Sequence, residues 1–292
     1  MLRHSFKIAI LLTSLSFFSL HAAAQKVTEP QNTNPEWSKP YPPFRIAGNL
    51  YYVGSYDLAC YLIVTPKGNI LINTGLAASA SMIKANIETL GFKLADTRIL
   101  LTMQAHFDHM GAMAEIKKMT GAYMMADEKD SVVMADGGSS DYALGGNGST
   151  YEPVKTDFIL HDKDVVRLGD MQLVMLHHPG HTKGSCSFLF DVKDEKRSYK
   201  ILIANLPTIV TEKKFAEVTA YPDMAKDYAY TLNAMKNLTF DIWLSSHASQ
   251  FELHTKHKPG DAYNPAAFMD KKGYDKAISE LQAKFAKKLA SE

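Results

Sequence analysis

Cysteine is almost missing from this chain. Cys60 and Cys186 are the only two in 292 residues, each inside a strand-like apolar stretch, and neither stands beside a His or Asp cluster. That excludes a disulfide-stapled scaffold. One disulfide stays open, but two buried free thiols are expected in a chain long enough to build its own core, and a cysteine metal ligand is not. A charge excess is missing too. Lys plus Arg number 32 against 31 Asp plus Glu, so nothing points to nucleic acid or an anionic surface as a partner. A membrane-length apolar run is also missing. The run Ile8 to Leu20 holds 13 residues, against the roughly 20 needed to span a bilayer. What remains, 46% hydrophobic and 22% charged, is ordinary globular composition.

That short run reads as something else. Arg3 and Lys7 precede it and Ala22-Ala23-Ala24 follows, the pattern of a secretory signal peptide. The expectation is a signal peptide over residues 1–24, a mature chain from Gln25, and export to the periplasm, with an uncleaved anchor as the alternative. No Cys follows the run, so no lipid attachment is expected.

Beyond a Pro- and Asn-rich arm with Trp37 as a packing point, short β-prone runs are expected at Leu50 to Val53, Ala59 to Thr65 and Asn69 to Asn73, with Pro66-Lys67-Gly68 as a hairpin turn. Ile83, Ile87 and Leu90 fall at i, i+4, i+7 before Gly91, the pattern of a helix and its C-terminal stop. Arg98 to Met103 is a buried strand, Met113, Ile116 and Met119 a helical stripe, and Ala122 to Ala126 another strand. Ala135 to Thr150 carries five glycines and no periodicity. It is expected to be a long mobile loop, either a lid or a tolerated surface insertion. Strands follow at Phe158–Leu160, Val165–Leu168, Gln172–Leu176, Ser185–Phe190 and Lys200–Ala204, then a helix near Asp223 to Asn237, a strand at Asp241–Ser245, and an amphipathic helix carrying Ile278, Leu281, Phe285 and Leu289. The expected architecture is α/β: two β-rich halves packed face to face, helices outside, in one domain over residues 25–292.

Chemistry concentrates at strand ends. The run to Met103 delivers Gln104, His106, Asp108 and His109 within six residues. His181 follows the run Gln172 to Leu176, and His247 follows Asp241 to Leu244. Strand ends of α/β sheets are where ligands bind, and His and Asp are ordinary zinc ligands. Six candidates suffice for two three-ligand sites. Two His and one Asp in four residues would be costly to bury without a partner. His161, His177, His178, His254 and His257 have weaker claims, with His254 and His257 expected on the surface among Lys256 and Lys258.

Gln104-Ala-His-Phe-Asp-His109 resembles the His-x-His-x-Asp-His motif of the metallo-β-lactamase superfamily. Pro179-Gly-His-Thr182 and Ser246-His247 resemble the motifs that carry that family's later ligands, and Trp37 to Val53 is similar to the opening of its third lactamase subclass. Gln in the first motif position is similar to the GOB-type members of that subclass. The resemblance implies an αββα sandwich and one or two zinc ions. Gln104, His106 and His181 would hold the first ion, and Asp108, His109 and His247 the second. It implies hydrolysis of the β-lactam ring of penicillins, cephalosporins and carbapenems by metal-activated water, with Asp108 also catalytic as the acceptor of a hydrogen bond from that water. The partner is then a small-molecule substrate, with no nucleic acid, no membrane after signal cleavage, and a monomeric enzyme.

Three positions depart from the family's pattern. An amide oxygen is a weaker zinc donor than imidazole, so the Asp108/His109/His247 site is expected to be the tighter. Asn73 stands where many relatives have Asp. Leu206 stands where glyoxalase-type thioesterases and lactonases carry a bridging Asp, and Thr208 is expected to contact the substrate carboxylate. The alternatives are a lactonase or thioesterase of the same superfamily, and a degenerate fold that binds zinc without catalysis.

Overall fold

A computed structural model describes residues 27–292. The signal-peptide expectation over residues 1–24 lies outside these. Two sheets form the centre of the molecule. The first has seven strands in chain order: β1 (Phe44–Ala47), β2 (Leu50–Tyr52), β3 (Tyr61–Thr65), β4 (Gly68–Ile72), β5 (Thr97–Leu101), β6 (Tyr123–Asp127) and β7 (Phe158–Leu160). β1 to β4 form an antiparallel meander, and β4 to β7 run parallel. The second has five, β8 (Val165–Leu168), β9 (Met171–His177), β10 (Cys186–Lys193), β11 (Ser198–Ala204) and β12 (Ile242–Ser245), antiparallel except for the last pair.

Period-two alternation builds the layers. Tyr61, Ile63, Ile70, Ile72, Ile99 and Leu101 point between the sheets, against Leu173, Met175, Phe188, Ile201 and Ile203. Their alternates Leu62, Leu71 and Leu100 point outward beneath helices α1 (Ala80–Thr89), α2 (Phe107–Met110) and α3 (Met113–Thr120). From Ile99 to Leu101 β5 is therefore buried on both faces, which is why those residues read as an apolar run. α1 seats Ile83 and Ile87 and stops at Gly91, whose φ of +84° is in the left-handed region that glycine favours. On the far face α5 (Met224–Lys236) packs against α7 (Lys271–Ala290), where Tyr274 meets Trp243 at 5.4 Å between ring centroids. This is the expected αββα sandwich. Among the described residues no helix is long and apolar enough to cross a membrane.

Several local expectations change. Helix α4 (Glu128–Ala135) follows β6 without an apolar stripe to announce it; the Asp127 side chain starts it by accepting from Lys129 N–H. α6 (Leu253–Lys256) is a single turn after β12. Met119 and Leu289 lie on the exposed side of their helices. Contrary to the surface expectation, His257 is buried and His254 is half-buried. His257 stacks on Phe44 of β1 with 3.7 Å between centroids, His254 stacks on Tyr56 at the same distance, and Tyr41 of the arm before β1 meets both rings. Cys60 and Cys186 are both buried free thiols.

Candidate metal centre

Three strand ends meet at one mouth of the sandwich. β5 leads through Thr102 and Met103 to Gln104, and α2 opens directly after His106. The turn between β9 and β10 carries His181, and His247 follows β12. Asn73 fastens the first of these. Its Oδ1 accepts from Met103 N–H at 3.1 Å and its Nδ2 donates to the Ala59 carbonyl at 3.3 Å. An aspartate would set oxygen against oxygen at Ala59, so this frame takes an amide here.

Of the six expected residues, Asp108, His109 and His247 form one cluster and His106 and His181 meet beside it. Ligand atoms of Asp108, His109 and His247 lie within 4.8 Å of one another. Asp108 Oδ2 is 3.3 Å from His109 Nε2 and 3.4 Å from His247 Nε2. Beside them the His106 and His181 rings meet at 4.8 Å, and Gln104 is as deeply buried.

Each of three imidazoles is held by one nitrogen, which leaves the other for the mouth. His247 Nδ1 sits 3.1 Å from Asp57 Oδ2. His181 Nδ1 faces both the carbonyl of Thr208, at 2.8 Å, and its hydroxyl, at 2.9 Å. His106 Nε2 lies 3.5 Å from Asp141 Oδ2. Asp57 takes two further donors, Trp37 Nε1–H at 3.1 Å and Ser249 N–H at 2.9 Å. The Trp37 ring covers His247 at 5.7 Å. Neither Asp57 nor Asp141 shows a spacing signal in the sequence, so both were beyond its reach.

Burial sets the charge pattern. It pushes His109 down to about 4 and His181 down to about 3, so both are neutral donors at neutral pH. Burial would raise Asp108, but His109 and His247 hold it well below the usual carboxylate range. Burial likewise opposes protonation of His247, yet hydrogen bonds to Asp108 and Asp57 lift it to about 9. Gln104 Oε1 and both His109 nitrogens are buried without a hydrogen-bond partner among the described residues, whereas His106 Nε2 faces the Asp141 carboxylate in ion-pair range. Orphaned buried polar atoms are rare. Here they belong to an amide and an imidazole at a mouth that also carries the Asp108 carboxylate and His247, a donor set that fits a divalent cation such as zinc.

Thr208 stands beside this mouth with its hydroxyl on His181. It also borders a cavity of about 380 Å³ that runs past Ser249 and Gln250 to Lys276 and Lys284 of α7. Leu206 lines the same cavity and offers no ligand atom. His161, His177 and His178 stay outside the mouth; His177 Nδ1 is 2.7 Å from Asp127 and His178 Nδ1 is 2.7 Å from Ser187.

The sandwich and its mouth thus define an αββα protein with a candidate metal centre at the strand ends. Residues 58–194 match the family model described as the metallo-beta-lactamase superfamily. The class B3 di-zinc metallo-beta-lactamase LRA-12 from an Alaskan soil metagenome is 71% identical, with a TM-score of 0.89, over 90% of this chain and 100% of that one. GOB-18 from Elizabethkingia meningoseptica is 56% identical, with a TM-score of 0.91, over 92% of this chain and 100% of that one. A beta-lactamase from Chitinophaga pinensis is 59% identical, with a TM-score of 0.87, over 89% and 98%. A hydroxyacylglutathione hydrolase from Rhodopseudomonas palustris (strain BisB5) is 29% identical over 131 residues, so this chain spans 42% of its length. The chain belongs to the metallo-β-lactamase superfamily and, within it, to the class B3 metallo-β-lactamases.

Proposed function

We propose that this protein hydrolyses the β-lactam ring of penicillins, cephalosporins and carbapenems in a zinc-dependent reaction, and so confers antibiotic resistance. The observation that carries the reading is the paired ligand set at the mouth, in a chain 71% identical to a class B3 di-zinc metallo-beta-lactamase. Gln104, His106 and His181 would hold one zinc ion; Asp108, His109 and His247 would hold the other. When bound, zinc makes water acidic enough to give hydroxide near neutral pH and acts as a Lewis acid.

The chain's own groups do the rest. Asp108, held ionised, is ligand and catalytic acceptor at once: one oxygen faces His109 and His247, and the carboxylate can take a hydrogen bond from the attacking water. His181 and His109, kept neutral by burial, present lone pairs and not protons. Asp57, Asp141 and Thr208 fix three imidazoles in their tautomers. Thr208, at the cavity rim, contacts the substrate carboxylate. No Ser or Cys nucleophile is required, so no covalent acyl-enzyme forms.

Gln104 makes this a GOB-type member, and its neutral amide makes the first half-site the weaker. The Asp108/His109/His247 half fills first; two equally tight ions in a zinc titration would overturn that. Residues 25–292 act as one monomeric domain, exported to the periplasm behind a signal peptide over 1–24, with no nucleic-acid or membrane partner. The partial match to hydroxyacylglutathione hydrolases supports a second reading, a lactonase or thioesterase, but Leu206 removes the bridging carboxylate expected there. Turnover of a penicillin, a carbapenem and a lactone, with and without chelator, decides. Chelator-sensitive β-lactam hydrolysis is expected, and turnover indifferent to chelator would reject the zinc reading.

A further inference from the structure

The glycine-rich stretch after α4 is tied down at the points where the weaker half-site needs support. Asp141 and His106 are both buried, and their side chains approach to 3.5 Å. The other oxygen of Asp141 accepts from Ala143 N–H at 2.9 Å and Leu144 N–H at 2.7 Å. The carboxylate is thereby pinned on one side and presented to His106 on the other. The next residue, Tyr142, places its hydroxyl 3.0 Å from the Gly180 carbonyl and 2.9 Å from the His181 carbonyl. At the far end of the loop the Tyr151 hydroxyl donates to the carbonyl of Ala105 at 2.8 Å, between Gln104 and His106. Gly145 lets the turn close: a Cβ there would lie 2.3 Å from the Asp141 carbonyl and 2.5 Å from that of Ser139.

We propose that residues 135–151 are a clamp and not a lid: Asp141 and Tyr142 are positioning residues that fix His106 and His181 around Gln104. The inference rests on the two-metal reading of the mouth. A moving lid keeps few buried ties to what lies beneath it, whereas this loop reaches residues 105, 106, 180 and 181 through three side chains. The other half-site takes its outer support from a different segment, through Asp57 on His247. A half-site with one weak neutral donor depends more on how well its two imidazoles are held in place. Outer-shell partners of metal ligands are worth about 10–100-fold in affinity.

The test is zinc and Co(II) binding to the full-length mature protein, by competition with a chromophoric chelator and by the Co(II) visible spectrum. Gln104→Ala marks which binding step belongs to this half-site. Asp141→Asn should weaken that step by about 10–100-fold and leave the other step and its spectrum unchanged. Tyr142→Phe, which keeps the ring and the fold, should move the same step in the same direction by less. Asp57→Asn should move the other step. Asp141→Asn and Tyr142→Phe proteins that bind both ions as the wild type does, or that weaken both steps alike, would overturn the clamp. A wild-type protein that takes up no metal would instead sink the two-metal reading beneath it.

Discussion

Asp130 is a buried carboxylate that the proposed chemistry does not use, and its removal gives a sharp test of how α4 supports the His181 turn. One oxygen accepts from Thr182 Oγ1 and the other from Gly184 N–H, both at 2.8 Å, so the side chain spans that turn. Burial, and after it the nearby Asp127 carboxylate, raise Asp130 from 3.8 to about 7. An acid raised on folding contributes its full stability below the unfolded value and loses it as pH climbs through the folded one. The wild type should therefore lose stability from about pH 4 to about pH 7 through this group. A rise of about three units corresponds to about 4 kcal/mol in all, of which about 2–3 kcal/mol falls between about pH 5 and pH 8. Asp130→Asn keeps the Gly184 bond and can donate to Thr182 Oγ1, whose own hydrogen turns to Ser185 Oγ at 2.7 Å. Urea unfolding of chelated wild type and variant, at both ends of that range, isolates the group because other titrations cancel in the difference. The variant should gain about 2–3 kcal/mol on the wild type across it. A difference that does not change with pH, or one that moves the other way, would refute the reasoning.

Gln104→His replaces the weak donor by imidazole, so metal analysis after dialysis should show fuller occupancy of the first half-site; unchanged metal content would count against the ligand assignment. Asp57→Asn leaves one acceptor oxygen for three donors, His247 Nδ1, Trp37 Nε1 and Ser249 N. One N–H then loses its partner, a loss of about 1–3 kcal/mol, readable by urea unfolding together with weaker zinc binding at His247. Phe188→Ala, at a fully buried position between the sheets, should cost about 3–5 kcal/mol in the same assay; a cost under about 1 kcal/mol would mean the inter-sheet core is misassigned.

The layers were legible because burial writes itself into periodicity. Ile99 to Leu101 of β5 are covered on both faces and read as an apolar run; Ile83 and Ile87 of α1 fall one turn apart. The His and Asp residues of the mouth stood out because each lies a few residues past the end of an apolar run. The outer ring did not. Asp57, Asp141 and Asp130 act across 190, 35 and 52 residues of chain or more, on partners that only the folded sandwich brings near. A lone acid in a loop carries no local mark of that. α4 escaped notice because its start depends on one side-chain cap and its buried face, Asp130, Val133 and Met134, includes an acid while the neighbouring Val132 is exposed. His254 and His257 misled because their lysine neighbours argued for solvent, while the arm that covers them comes from more than 200 residues earlier.

The substitution at the head of the motif is then best understood by what it leaves unchanged. A glutamine amide and a neutral imidazole carry the same formal charge, so Gln104 alters donor strength and not the charge of the mouth. The charge is set elsewhere: Asp108 within the ligand set, Asp57 behind His247, and Asp141 behind His106. On the proposed ligand assignment each half-site has one outer carboxylate, and only the second has an inner one as well. A carboxylate behind an imidazole raises its basicity as a ligand and fixes its tautomer. If Gln104 and His106 share an ion as proposed, Asp141 acts on the very quantity that the amide lowers. Burial at the mouth strengthens this pairing, because both partners lie where water screens them least. A weak first donor can persist in such a site when the loop beside it holds the remaining two in place.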